Sequence, residues 1–164
     1  MALALIMVGL PARGKTYTAR KVAHYFGWLG HRTKVFNVGN IRRKLSGSSV
    51  PHAFFDPQNE HGVNARKTAA EQALEHLLEW LKDGGEIAIF DATNSTRERR
   101  DWLYSILTRN GHECAFIESI CEDQNVIDEN IRQTKLGSPD YVGVSTKQAT
   151  EDFQARIAHY VSAY

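Results

Sequence analysis

The chain has 164 residues, enough for one domain with a single two- or three-layer core. Its 20 basic and 19 acidic residues leave a formal charge of +1, which gives no global field for nucleic acid or an anionic membrane and confines any basic patch to a local site. The longest apolar stretch is about eight residues at the N-terminus, far short of the roughly 20 that span a bilayer, and reads as a buried strand rather than a leader or an anchor.

That strand, Leu3–Val8, runs directly into Gly9, Leu10, Pro11, Ala12, Arg13, Gly14, Lys15 and Thr16, a phosphate-binding loop of the form G-x-x-x-x-G-K-[ST]. The two glycines let successive N–H groups turn inward on a triphosphate, Lys15 neutralises the outer phosphates, and the Thr16 hydroxyl suits Mg²⁺. A helical pattern over Tyr17–Leu29 follows, so strand, loop and helix stand in the order that the motif requires. The first functional expectation is therefore a bound nucleoside triphosphate.

Further short apolar runs at Lys34–Val38, Ile87–Phe90 and Ala115–Ile120 read as buried strands. Between and after them the spacing predicts helices over Val63–Leu81, Thr96–Asn110, Asp123–Leu136 and about Thr146–Tyr160. Asp83-Gly84-Gly85 and Asn110-Gly111 stop two of these, and Gly137-Ser138-Pro139-Asp140 reads as a turn. The alternation predicts an α/β fold with a mostly parallel sheet covered on both faces and ligands at the carboxyl ends of the strands. The irregular stretch Leu45–Gly62 reads as a surface insertion that orders around substrate.

The third strand ends in Asp91-Ala92-Thr93-Asn94. In a phosphate-loop enzyme an acid at that point assists Mg²⁺ or accepts the proton of the attacking hydroxyl; the alternative is a cap for the next helix, a task that Asn94 or Ser95 could also take. Cys114 and Cys121 sit at the two ends of one strand-like run, roughly 20 Å apart at the rise of a strand, so they cannot pair and a reducing cytoplasm is the natural setting. The seven histidines show no zinc spacing.

Taken in order, GLPARGKTYTARK, KVFNVGNIRR, FFDPQNEHGVNARK, IAIFDATNSTRERR, FIESICED and LGSPDY resemble the kinase half of the bifunctional 6-phosphofructo-2-kinase/fructose-2,6-bisphosphatase family over nearly the whole chain. The resemblance implies a single phosphate-loop kinase domain over residues 1–164, a three-layer α/β/α sandwich, that transfers the γ-phosphoryl group of ATP to the 2-hydroxyl of fructose 6-phosphate with Mg²⁺. It places ATP on Gly9 through Tyr17 and on the helix segment Asn130–Lys135, and the sugar phosphate against Arg42, Arg66, Thr93, Arg99, Lys135, Arg156 and Tyr160. Several guanidinium forks suit a phosphosugar because arginine grips phosphate bidentately and stays charged. Arg156 and Tyr160 stand one helical turn apart and share a face. Lys135 becomes a second cation at the transferring group beside Lys15, and Cys121 falls on a position counted with the active site, although an unactivated thiol is a poor base for an alcohol.

Departures from the pattern are equally specific. No R-H-G tripeptide occurs, so bisphosphatase chemistry is not expected of these residues, and the chain stops ahead of the strand that follows the Arg156 helix in the family. Asn40 replaces the usual acid after FNVG, and Leu45–Val50 matches poorly. A homodimer stays open. So do two other readings: a different phosphate-loop kinase, acting on a small molecule or a polynucleotide, and a nucleotide-binding module without turnover.

Overall fold

The protein is described from a computed structural model that covers residues 1–135 and 137–164, with Lys135 described by its backbone alone. The four apolar runs become β1 (Leu3–Val8), β2 (Thr33–Asn37), β3 (Ile87–Asp91) and β4 (Glu113–Glu118), all parallel and ordered β2-β3-β1-β4. Helices α1 (Lys15–Trp28), α2 (Val38–Ser46), α3 (Glu60–Lys82), α4 (Arg97–Arg109), α5 (Gln124–Asn130) and α6 (Thr146–Val161) connect or follow them.

The period-2 alternation of the strands assigns each residue to a layer. Ala4, Ile6, Ala88 and Phe90 point to one face and pack with Ala69, Ala73, Leu74 and Leu77 of α3 and with Leu103 and Leu107 of α4. Leu5, Met7, Ile87 and Ile89 point to the other, against Ala19, Val22, Ala23 and Phe26 of α1. The result is helix, sheet, helix. Burial on both sides explains why β1 and β3 read as continuous apolar runs. Leu77 is fully buried in this core, so Leu77→Ala would cost about 2–5 kcal/mol. A satellite core joins Ile127 and Ile131 to Tyr141, Ala149 and Phe153, with Ala12 of the phosphate loop resting on it.

The strand order reverses between β1 and β3, since the chain leaves β1 for β2 on one side and leaves β3 for β4 on the other. In such sheets ligands bind in the crevice at that reversal. The phosphate loop and the Asp91–Asn94 segment lie side by side there, joined by Gly9 N–H donating to the Thr93 carbonyl at 3.0 Å.

Several expected boundaries move. The second strand ends at Asn37, because Asn37 Oδ1 accepts the Asn40 N–H at 2.9 Å and starts α2, a helix the sequence reading did not contain. The fourth strand lies two residues earlier than expected, in register from Leu3–Glu113 to Val8–Glu118 with β1. The expected helix Asp123–Leu136 divides into α5 and a π-helical turn, Ile131–Lys135, and Leu136 lies outside the described residues. The stretch Leu45–Gly62, expected as a surface insertion, contributes to the core. It contains a 3₁₀ turn, His52–Phe55, that buries Phe54 and Phe55 against α3 and α6. Polar composition hid two adjacent core phenylalanines.

Candidate active site

The phosphate loop is a strained and braced cradle. Gly9 has φ 137°, and a Cβ there would stand 2.5 Å from the Ser119 carbonyl oxygen, so only glycine lets β1 leave the sheet this close to the end of β4. Ala12 has φ 60°, a left-handed conformation that costs a non-glycine residue about 1–2 kcal/mol. Its carbonyl accepts the Asn130 amide at 3.0 Å, Arg13 Nε donates to the Cys121 carbonyl at 3.2 Å, and Ser119 Oγ donates to the Arg13 carbonyl. Strain held by its surroundings in this way is a feature of ligand clamps.

The loop ends at the N-terminus of α1. Helices α2 through α6 begin with side-chain caps from Asn37, Asn59, Thr96, Asp123 and Ser145. By contrast α1 begins at Gly14 with no side-chain cap, which leaves its first N–H groups and the positive end of the helix dipole to an anion. Lys15 is 8% exposed and donates from Nζ to the Leu10 carbonyl at 2.5 Å, within the loop it is expected to serve. Thr16 is half-buried in the first turn, and Tyr17 is exposed with its ring near Lys21.

Asp91 closes β3 and is buried. It does not cap the next helix: Thr96 Oγ1 accepts the Arg99 N–H and begins α4, while Asn94, at φ 44°, donates its amide to the Met7 carbonyl at 2.8 Å. Asn37 Nδ2 donates to Asp91 Oδ2 at 2.5 Å, so one carboxylate oxygen is tied to β2. A hydroxyl and an aspartate at the reversal of the sheet are the hard oxygen donors that Mg²⁺ prefers, and the donor chemistry of Thr16 and Asp91 fits that ion.

The expected arginines gather. The guanidinium carbons of Arg42, Arg66 and Arg156 lie 5.6, 5.7 and 3.7 Å from the centre of the Phe55 ring, and the Tyr160 ring lies 6.0 Å from it. Arg99, in the first turn of α4, has Arg66 and Tyr160 among its electrostatic neighbours. Burial lowers the affinity of Arg42, Arg66 and Arg99 for their protons from the ordinary value, yet guanidinium remains charged at any working pH. Asp140 provides a buried counter-charge to two of them: both its oxygens accept from Arg42 Nη2, at 2.8 and 2.9 Å, and Oδ2 accepts from Arg156 Nη1 at 3.2 Å. Arg66 Nη1 and Arg156 Nε and Nη2 are buried with no hydrogen-bond partner among the described residues. Buried donors of this kind are costly unless something accepts from them.

Over its full length, residues 1–164, the chain matches the sequence profile described as 6-phosphofructo-2-kinase. The chain belongs to the 6-phosphofructo-2-kinase family. It is 48% identical over 161 residues to 6-phosphofructo-2-kinase/fructose-2,6-bisphosphatase 4 of Rattus norvegicus, and the match covers 98% of this chain and 34% of that protein. The human isoform 3 relative is 45% identical, with 98% and 31% covered. The chain thus spans about a third of the length of the curated relatives it matches. Among solved structures, an APS kinase of Mycobacterium tuberculosis in complex with AMPPNP and APS aligns with a TM-score of 0.62 at 15% identity, covering 94% of this chain and 96% of that one. Kti12 of Chaetomium thermophilum in complex with ADP-AlF3 aligns at 0.62 and 17% identity, with 94% and 79% covered. At that identity the likeness is one of fold: the phosphate-loop kinase sandwich.

Within this family member, sequence reasoning missed Asn37, Ser119, Asp140 and Phe55. Asp140 sat in a turn-forming Ser-Pro-Asp string, and nothing in that string marks a carboxylate that is buried. Cys121 packs at the margin of the cluster containing Ala12, its backbone carbonyl accepts from Arg13 of the loop, and its thiol lies 3.9 Å from the Asp123 carbonyl oxygen. The side chain expected to supply the second cation, Lys135, lies outside the described residues.

Proposed function

We propose that the chain transfers the γ-phosphoryl group of ATP to the 2-hydroxyl of fructose 6-phosphate. The observation that carries this reading is the group of buried donors on Arg66 and Arg156 around Phe55 that have no hydrogen-bond partner among the described residues, linked to the phosphate loop through Tyr141 and Phe153, which lie near Arg156 and pack with Ala12. Family membership adds the sugar.

In this reading Gly9 through Thr16 cradle the triphosphate, and Lys15 turns from the Leu10 carbonyl to the outer phosphates. Thr16 and Asp91 hold Mg²⁺, which supplies charge neutralisation when bound. Asp91 has one oxygen fixed by Asn37, and the other serves the ion or accepts the proton of the attacking hydroxyl. Arg66 and Arg156 grip the 6-phosphate, Arg99, Thr93 and Tyr160 flank the sugar, and Arg42, committed to Asp140, braces the cluster. Lys135 completes the charge around the transferring group, and Cys121 lines the loop without chemistry of its own. Protein cations and fixed amides then meet the charge that spreads over the equatorial oxygens during transfer.

Arg66→Ala tests the assignment. A lost charge-assisted pair is worth about 1.5–3 kcal/mol, so KM for fructose 6-phosphate should rise roughly 10- to 150-fold while KM for ATP stays within about twofold. Both constants rising together would remove the phosphosugar from the proposal.

A further inference from the structure

Arg42 and Arg156 repel one another, and the carboxylate they share forms no salt bridge with Arg66. Asp140 bonds Arg42 and Arg156 and stands 3.6 Å from Arg43, whereas Arg66 has only the more distant pull of Asp56 and forms no salt bridge with a carboxylate among the described residues. What Arg42, Arg66 and Arg156 share is the Phe55 ring, with Arg156 stacked closest at 3.7 Å. An aromatic face carries negative electrostatic potential, and its attraction for a cation is greatest where water is excluded. Phe55 is 6% exposed.

The turn that carries the ring is held from both sides. On the α6 side, His52 N–H donates to Asp152 Oδ1 at 2.8 Å, and the His52 and His159 rings stack with Nδ1 and Nε2 3.2 Å apart. Towards α3, Asn59 Nδ2 donates to the Ala53 carbonyl at 2.9 Å. Gly62 lets that helix approach so closely that a Cβ there would stand 2.1 Å from the Phe54 carbonyl oxygen.

We propose that Phe55 is a positioning residue that assembles Arg42, Arg66 and Arg156 into a ready anion site, its ring face standing in for the counter-ion that Asp140 cannot supply to all three. The inference rests on reading this cluster as the phosphosugar site. It makes the 3₁₀ turn part of the substrate machinery, and it assigns the affinity for the sugar phosphate partly to a residue that need not touch it.

Leucine at 55 keeps apolar bulk and removes the ring face; tyrosine restores it. Phosphate affinity is measured by titration calorimetry with inorganic phosphate and with fructose 6-phosphate, the phosphate loop being filled by an unhydrolysable ATP analogue. Phe55→Leu should weaken both ligands about tenfold or more, and should raise KM for fructose 6-phosphate by a similar factor, with kcat and KM for ATP within about twofold. Phe55→Tyr should recover most of that loss. In an Arg66→Ala background, Phe55→Leu should cost clearly less, because part of what it positions is already gone. Unchanged phosphate affinity in a folded Phe55→Leu protein, or effects of Phe55→Leu and Arg66→Ala that simply multiply, would overturn the proposal. If the wild-type protein ignores fructose 6-phosphate while its affinity for inorganic phosphate still depends on Phe55, the sugar assignment falls and the platform stands.

Discussion

Asp140→Asn removes one negative charge from a site where Arg42 and Arg156 are almost fully enclosed, with side chains only 6% and 8% exposed. The asparagine can keep a weaker bond to one arginine, but its amide presents a donor where the second oxygen stood, and two buried cations lose their shared anion. Breaking a buried ion pair by removing one partner costs about 3–5 kcal/mol, and the low exposure of these side chains leaves little solvent screening to reduce that figure. Taking the lower end and a urea slope of about 2 kcal/mol per molar, the denaturation midpoint should fall by about 1.5 M with the slope unchanged. The thermal midpoint should fall by roughly 6–12 °C. Fructose 6-phosphate, by restoring negative charge to the cluster, should recover more stability in the variant than it adds to the wild-type protein. A midpoint within about 0.3 M of wild type, or equal stabilisation of both proteins by the ligand, would refute the claim that Asp140 neutralises a preassembled cationic site.

Three other outcomes are expected. Lys15→Ala should abolish most Mg²⁺-dependent binding of an unhydrolysable ATP analogue in titration calorimetry, and Thr16→Ala should weaken its Mg²⁺-dependent part; unchanged binding in both would sink the cradle assignment. Asp91→Asn should fold and bind nucleotide, yet lose roughly two orders of magnitude or more in turnover, since it keeps the shape but not the charge of a metal partner or base. Burial pushes the Cys114 thiol up to about 11, which disfavours the thiolate. Alkylation of the native protein followed by mass spectrometry should therefore leave Cys114 largely unmodified at pH 8, with labelling rising as pH approaches about 11. The same shift means that folding favours the protonated thiol, so its contribution to stability is present below the ordinary cysteine value and is lost as pH rises through about 11.

The parts of the fold that the sequence displayed are those governed by local pattern. Leu3–Val8 is continuous and apolar because both faces are covered, and the loop motif fixes the strand before it and the helix after it. Thr96 and Asn110, at the ends of α4, act through hydrogen bonds to backbone groups a few residues away, so their chemistry is readable in a short window. The site divides along the same line. Arg42, Arg66 and Arg156 came from the family resemblance, whereas no role came with it for the residues that gather them: Asp140 acts across 98 residues on Arg42, and Phe55 joins helices α2, α3 and α6. The helix α2 was hidden because it is only nine residues long and Gly39 and Asn40 are weak helix formers, although Val38 and Ile41 hold a three-residue spacing and Asn37 supplies the cap.

The central claim is that the acceptor is the 2-hydroxyl of fructose 6-phosphate. It is tested most directly by incubating the protein with γ-labelled ATP, Mg²⁺ and fructose 6-phosphate and locating the label in the product. The account predicts a fructose bisphosphate whose new phosphate is released by mild acid, as expected for an ester at the anomeric carbon, with one ADP formed per label transferred. Label appearing on water alone, on another position of the sugar, or only when a polynucleotide carrying a 5′-hydroxyl replaces the sugar would contradict it.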